Sequence, residues 1–228
     1  RYQEGGPVIL DDVTFTIQPG EFVAFVGPSG SGKSTLFRLL LGFEAPESGT
    51  IFYDGKNLSG LDLRAVRKQL GVVLQNGALM PGSIFENIVG SEPLTMDDAW
   101  EAARMAGLDK DIESMPMGMH TMVAEGAGTL SGGQRQRLII GRALVRRPRI
   151  LLFDEATSAL DNRTQEIVSR SLDQLNATRI VIAHRLSTVQ NADRIFVIEA
   201  GHLLQQGTFE ELMAVEGPFA TLAQRQIV

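Results

Sequence analysis

Apolar positions along this chain recur with two different periods, and the changes of period mark out its elements. Short β-type runs at Val13 to Ile17 and Glu21 to Val26 open it, and a helical pattern starts at Lys33. A further β-type run, Thr50 to Tyr53, ends in the turn pair Asp54-Gly55. Val72-Val73-Leu74 predicts a buried strand, and the Ala, Met and Leu spacing from Met96 to Met122 predicts helices. The order then becomes helix from Gln134 to Val145, strand Ile150 to Phe153, helix Arg163 to Leu175, and strands Arg179 to Ile182 and Arg194 to Ile198. Strands alternating with helices predict an α/β fold whose mostly parallel sheet is covered on both faces. Two closing helical stretches, Phe209 to Ala214 and Phe219 to Ala223, belong to the same domain.

Composition narrows the function without choosing it. At 228 residues the chain suits one α/β domain with a subdomain grown out of it. Its net charge of −6 carries no polybasic stripe, which argues against nucleic acid as a partner. It has no cysteine, hence no disulfide framework and no thiolate metal site. The longest apolar run, Leu36 to Phe43, is broken by Arg38 and Gly42 and falls short of a bilayer span. With Arg1 first and no signal-like segment, the expectation is a domain cut from a longer protein.

Chemistry enters at Gly27-Pro28-Ser29-Gly30-Ser31-Gly32-Lys33-Ser34, a full match to G-x-x-x-x-G-K-[ST] between a strand and a helix. Successive N–H groups of such a loop, backed by the positive end of a helix, solvate nucleotide phosphates. Lys33 adds a point charge on the β and γ phosphates, and the Ser34 hydroxyl is a ligand for Mg²⁺. A glycine-rich turn that merely carries a lysine is the bland alternative, and the flanking strand and helix argue against it. A second signal is Ile150 to Phe153 followed by Asp154-Glu155, a buried strand that ends in two carboxylates. In nucleotide hydrolases Asp154 holds Mg²⁺ and Glu155 polarises the attacking water. Alone, the pair could be a solvated strand end. Leu130-Ser131-Gly132-Gly133-Gln134 opens a helix with a serine and two glycines, a second cluster of anion-seeking N–H donors.

Leu130 to Gln134 resembles the signature of the ATP-binding cassette family. The other family motifs follow in order: the phosphate loop with Thr35 after it, Gln75, Asp154-Glu155, Ser158-Ala159-Leu160-Asp161, and His184. The resemblance covers the whole chain and implies a P-loop NTPase sheet with an antiparallel β subdomain and an inserted α-helical subdomain. It makes residues 1–228 one ATPase domain, with a core of about 1–75 and 134–228 and a helical subdomain of about 76–133.

The resemblance further implies a head-to-tail dimer of two copies. Each ATP, with Mg²⁺, lies between the phosphate loop of one copy and the signature of the other. Tyr2 stacks on adenine, its alternative being a hydrophobic residue at a strand edge. Ser131, Gly132, Gly133 and Gln134 complete the phosphate cradle in trans, and Asp161 connects the two sites. Gln75 touches Mg²⁺ and the water, and His184 contacts the γ-phosphate. Since every position holds a competent residue, two equivalent hydrolytic sites are expected. His120 and His202 have no such context.

Met80-Pro81-Gly82-Ser83-Ile84-Phe85-Glu86-Asn87-Ile88 resembles the segment after the glutamine loop of exporters, and Glu125 matches their cross-domain loop, although the usual glycine two residues later is replaced by Ala127. Leu39 to Glu44, Gly71 to Asn76 and Met115 to Thr121 resemble the ATPase domain of transporters for bacteriocins and other leader-bearing peptides. A transmembrane half, N-terminal in the same full-length chain, and a place on the cytoplasmic face of the inner (plasma) membrane follow from the resemblance. Two other functions remain for such a cassette. Nucleic-acid maintenance or translation is disfavoured by the acidic balance and by the short block between Gln75 and Ser131. A non-hydrolysing ATP sensor is disfavoured by Glu155 and His184. The methionines of Met115 to Met122 either fill a small core or receive helices of the transmembrane half.

Overall fold

The structure is a computed structural model. It describes every residue except Glu4, Asn76, 124–129, 155–159, His184 and Val228, with residues 162 and 225–227 described as backbone.

In chain order the elements begin with β1 (Phe22–Val26), α1 (Lys33–Leu40), β2 (Phe52–Tyr53), β3 (Lys56–Asn57), α2 (Leu63–Arg67) and β4 (Leu70–Val73). Next come β5 (Gly82–Ser83), α3 (Ile84–Val89), α4 (Met96–Met105), α5 (Asp109–Ser114), β6 (Met122–Val123) and α6 (Gly132–Leu144). The last are β7 (Ile150–Asp154), α7 (Asn162–Gln174), β8 (Thr178–Ile182), α8 (Leu186–Val189), β9 (Arg194–Glu199), β10 (His202–Gly207), α9 (Phe209–Met213) and α10 (Pro218–Ile227). They form two compact units, one of residues 1–67 with 178–228 and one of residues 68–177.

In the first unit β1 is parallel to β8 on one side and to β9 on the other. The hairpin partner β10 adds antiparallel to β9. The core is apolar and aromatic. Phe25 stacks on Phe196 with ring centroids 5.0 Å apart, and Phe15 packs on both at 5.2 and 5.3 Å. A separate β2–β3 hairpin turns at Asp54-Gly55, both at positive φ (48° and 72°), as its sequence predicts. The closing helices seal the β10 end: Phe219 and Ala223 are buried, and Phe209 meets Phe219 edge to face.

The predicted strand at Val13 to Ile17 joins no ladder. Its alternation is still used, since Phe15 enters the aromatic core. Side chains compete for the backbone there: Arg194 Nη2 donates to the Thr16 carbonyl at 2.6 Å and Glu21 Oε2 accepts the Gln18 N–H at 2.7 Å. Conversely, β10 has no clear strand pattern in the sequence, because His202 to Gly207 mixes Leu with Gln and Gly.

In the second unit β4 runs parallel to β7, in register from Leu70 opposite Ile150 to Val73 opposite Phe153. Helix α6 packs on β4, α3 and α4. A buried cluster of Ile84, Ile88, Leu108, Ile112 and Leu138 joins these helices. The helices expected between Met96 and Met122 are α4 and α5, followed by a 3-10 turn at Gly118–His120 and the short β6. Capping boxes fix two starts, Ser83 with Glu86 for α3 and Thr95 with Asp98 for α4. Met119 is buried and Met115 packs on the cluster, whereas Met117 is exposed.

Candidate functional site

The first unit carries the phosphate loop. It leaves β1 at Gly27, whose φ of 148° disfavours any residue with a side chain, and an added Cβ would lie 1.9 Å from the Ile198 carbonyl oxygen. The loop enters α1 through Gly32, an N-cap in the left-handed region (φ 104°) with no side-chain cap. Gly32 has no side chain with which to cap the start of α1, and a helix start of this kind suits an anion. Lys33 is only 5% exposed. Its ammonium donates to the Gly27 and Pro28 carbonyls, both at 2.8 Å, and to Ser31 Oγ at 3.2 Å. The cation is thus held inside the turn of the loop, and Ser31 is buried beside it.

Tyr2 lies in the same unit. Its hydroxyl is 2.9 Å from Thr35 Oγ1, and the Arg38 guanidinium sits 5.8 Å from the ring centroid. Arg38 is itself paired with Glu44 at 2.7 Å, and this bond holds its already high pKa higher still. The Tyr2 ring remains half exposed. The strand-edge alternative does not describe it, because residue 2 is not in a strand.

The second unit carries three further groups. Because β4 and β7 are parallel, their carboxyl ends share one edge, with Gln75 two residues past Val73 and Asp154 one past Phe153. Gln75 is exposed, while Asp154 is buried at the strand end.

The signature forms the start of α6. Ser131 is the N-cap, its Oγ accepting the Gln134 N–H at 3.2 Å, while Gln134 Oε1 accepts the Ser131 N–H at 2.9 Å. This box engages the N–H groups of residues 131 and 134, not those of Gly132 and Gly133, and the Ser131 O–H keeps its donor capacity. Ser131 and Gly132 are exposed.

Behind the box, Gln134 Nε2 donates to Asp111 Oδ1 at 2.7 Å, and Arg137 Nη1 lies 3.0 Å from Asp111 Oδ2. Arg137 also donates to the Gly107 carbonyl at 2.8 Å and to the Gly133 carbonyl at 3.3 Å.

Asp161 caps α7, with Oδ1 accepting the Thr164 N–H at 2.8 Å. Hydrogen bonds from Thr164, with help from the charge of Arg137, hold its carboxyl below the usual range, so it is ionised at neutral pH.

The segment after Gln75 is anchored to α6. Arg142 donates to the Asn87 carbonyl and to Asn87 Oδ1, both at 2.8 Å, and to the Ala78 carbonyl at 3.0 Å. The Asn87 amide, fully buried, donates to the Met80 carbonyl at 2.8 Å and accepts the Met80 N–H at 2.9 Å. Burial lowers the Arg142 pKa.

The pairings of Asp111 with Gln134, Arg137 with Gly107 and Arg142 with Asn87 are not legible in the sequence, since they join residues 23 or more apart and no local pattern pairs them. Glu125, Glu155, Ser158, Ala159 and His184 lie outside the described residues.

The first unit offers the Ser34 hydroxyl and the second the Gln75 amide oxygen and the Asp154 carboxylate, each a hard donor of the kind Mg²⁺ takes. Among the described residues no cluster of three or more His, Asp or Glu could enclose a metal. Mg²⁺ held by one carboxylate, water and substrate phosphates needs none.

Residues 10–158 match the model of the ABC transporter family. The chain belongs to this family. It is 49% identical over 216 residues to the exotoxin translocation ATP-binding protein PaxB of Pasteurella aerogenes, a match covering 93% of this chain and 30% of that protein. It is 48% identical to the alpha-hemolysin translocation ATP-binding protein HlyB of Escherichia coli O157:H7, over 94% of this chain and 31% of that protein. ABC transporter B family member 13 of Arabidopsis thaliana is 46% identical, over 96% of this chain and 18% of its own length. A solved structure of a bacterial Atm1-family ABC exporter with ATP bound matches with a TM-score of 0.93 at 39% identity, covering 96% of this chain and 39% of that one. The chain spans about three tenths of the toxin-translocation relatives. The α/β fold and the exporter branch expected from the ABC motifs agree with these findings.

Proposed function

We propose that this chain is the ATP-hydrolysing motor of an ABC exporter, coupling hydrolysis of Mg-ATP to export of a peptide or protein cargo across a membrane. The observation that carries the reading is the phosphate loop, with Lys33 drawn into the turn and the start of α1 left without a side-chain cap.

In this reading Gly27 to Thr35 receive the phosphates, and Tyr2 receives the adenine. Lys33 exchanges loop oxygens for phosphate oxygens while remaining close to its present partners. Mg²⁺, when bound to Ser34, Gln75 and Asp154, neutralises charge on the phosphates. Glu155 polarises the attacking water, while His184 and Gln75 orient it. The signature of a second copy closes each site: Ser131 donates its O–H, Gly132 and Gly133 offer N–H groups, Gln134 holds their turn, and Asp161 links the two sites. Loss of the γ-phosphate removes contacts to both copies at once, which opens the dimer.

Residues 1–75 and 134–228 form the catalytic core and 76–133 a helical subdomain that meets the transmembrane half, which precedes this domain in the full-length protein. The dimer works at the cytoplasmic face of the inner membrane, without nucleic acid. Among the described residues no helix is long and apolar enough to cross a membrane. The names of the toxin-translocation relatives favour a polypeptide cargo. The narrower likeness to bacteriocin export makes a leader-bearing peptide the cargo to try first.

Phosphate release from Mg-ATP tests the reading. The chain should hydrolyse ATP with a rate per molecule that rises with protein concentration, and Lys33→Ala should not. A parent rate equal to that of Lys33→Ala overturns it.

A further inference from the structure

Among the partly buried polar contacts of the described residues, three tie segments distant in sequence: Arg142 with Asn87, Arg67 on the Leu41 and Gly42 carbonyls, and Asp111 with Gln134 and Arg137. The third reaches furthest, because it ends on the signature itself.

We infer that Asp111 is the positioning residue of the signature turn. This inference rests on the proposed role of that turn as the phosphate cradle for a second copy. Asp111 lies on α5, 20 residues before Ser131 in sequence. Its two carboxylate oxygens divide the work, Oδ1 taking the Gln134 amide at 2.7 Å and Oδ2 the Arg137 guanidinium at 3.0 Å.

The first contact sets the orientation of the Gln134 amide. A carboxylate accepts and cannot donate, so the amide must present its NH₂ to Asp111 and its oxygen to the other side. That oxygen is the one holding the Ser131 N–H at 2.9 Å. The second contact clamps the same turn from below, because Arg137 Nε reaches the Gly133 carbonyl at 3.3 Å. Residues 131, 133 and 134 are therefore all tied, through two side chains, to one carboxylate.

The chemistry of the cradle explains why such a tie is needed. Two successive glycines leave the turn free to adopt many backbone conformations, and a donor set is effective only when held in its binding geometry beforehand. Glycine is required for close approach of a phosphate, so rigidity must come from outside the turn. Arg137 alone would supply less of it: without Asp111 the guanidinium keeps the Gly107 and Gly133 carbonyls but loses the carboxylate that fixes its orientation. Asp111 neutralises Arg137 and holds it on the protein side, leaving the exposed Ser131 and Gly132 to face a ligand.

The effect of Asp111 is local to the signature. Nucleotide affinity of the separated chain, which the reading assigns to the phosphate loop, should be unaffected, whereas assembly on the signature of the second copy should suffer.

The experiment compares the Glu155→Gln chain with Glu155→Gln/Asp111→Ala and Glu155→Gln/Asp111→Asn. Hydrogen exchange of residues 131–134, the melting temperature, ATP binding and ATP-driven dimerisation are measured on each. The expected result is exchange at Ser131 and Gln134 faster by about tenfold or more, ATP affinity unchanged, and dimerisation weakened by a similar factor. Asp111→Asn keeps an acceptor for Gln134 but not the charge for Arg137, so it should fall between the two and serves if Asp111→Ala does not fold.

Unchanged exchange in a folded variant overturns the inference whatever dimerisation does. Faster exchange with unimpaired ATP-driven dimerisation overturns it as well, since the turn would then need no positioning. Faster exchange in the variants, with a Glu155→Gln parent that binds ATP but never dimerises, upholds the positioning of the turn and overturns the proposed dimeric motor instead.

Discussion

The Tyr2 hydroxyl and Thr35 Oγ1 lie 2.9 Å apart, which ties the second residue of the chain to the helix that follows the phosphate loop. Ring and hydroxyl have separable tasks: the hydroxyl fixes where the ring stands, and the half-exposed ring offers a face for stacking. Tyr2→Phe should therefore weaken ATP binding by no more than about threefold, and Tyr2→Ala by about tenfold, since stacking of a base on an aromatic ring is worth roughly 1–3 kcal/mol. Titration calorimetry with ATP and with inorganic triphosphate checks this. Equal losses for both ligands in Tyr2→Ala would contradict a stacking role.

Gly27 admits no side chain. A Cβ there would lie 1.9 Å from the Ile198 carbonyl oxygen at a backbone φ of 148°. Gly27→Ala should cost stability on the order of 2–4 kcal/mol and remove ATP binding. Chemical denaturation with a binding assay on the folded fraction provides the measurement.

Two methionines with adjacent sequence contexts should behave oppositely. Met119 is 3% exposed and sits in the helical core, while Met117 is 59% exposed. Met119→Ser should lower stability by about 2–4 kcal/mol, and Met117→Ser by less than about 0.5 kcal/mol. If Met117→Ser in the full-length exporter uncouples transport while the domain stays stable, that side chain meets the transmembrane half.

Acid should weaken the second unit through its helix caps. Hydrogen bonds from Ser83 hold Glu86 below its ordinary 4.5, and those from Thr95 hold Asp98 below its ordinary 3.8. A carboxyl whose pKa is lower in the folded chain stabilises the fold above its unfolded pKa, and that contribution is lost as pH falls through the folded value. Stability should decline below about pH 4.5, and Glu86→Gln with Asp98→Asn should flatten that decline. Urea midpoints between pH 7 and pH 3 supply the comparison.

Sequence alone conveyed the alternation of strands and helices around the phosphate loop, though not β10. Gly27 to Ser34 is a local pattern, and its strand–loop–helix setting and the Lys33 contacts inside the loop come from adjacent residues. The capping box of Ser131 with Gln134 likewise spans only four residues. What stayed hidden depends on tertiary contact. Asp111 looked like one acid in the polar run Asp109-Lys110-Asp111, and only the packing of α5 beside α6 gives it Gln134 and Arg137. Val13 to Ile17 shows the opposite failure, for its alternation is genuine while its backbone partners are side chains such as Arg194.

Sedimentation of the Glu155→Gln chain with and without Mg-ATP tests the central claim most directly. A composite-site motor predicts a monomer without nucleotide and a stable dimer with it. A chain that binds Mg-ATP and remains monomeric at all concentrations would contradict the claim.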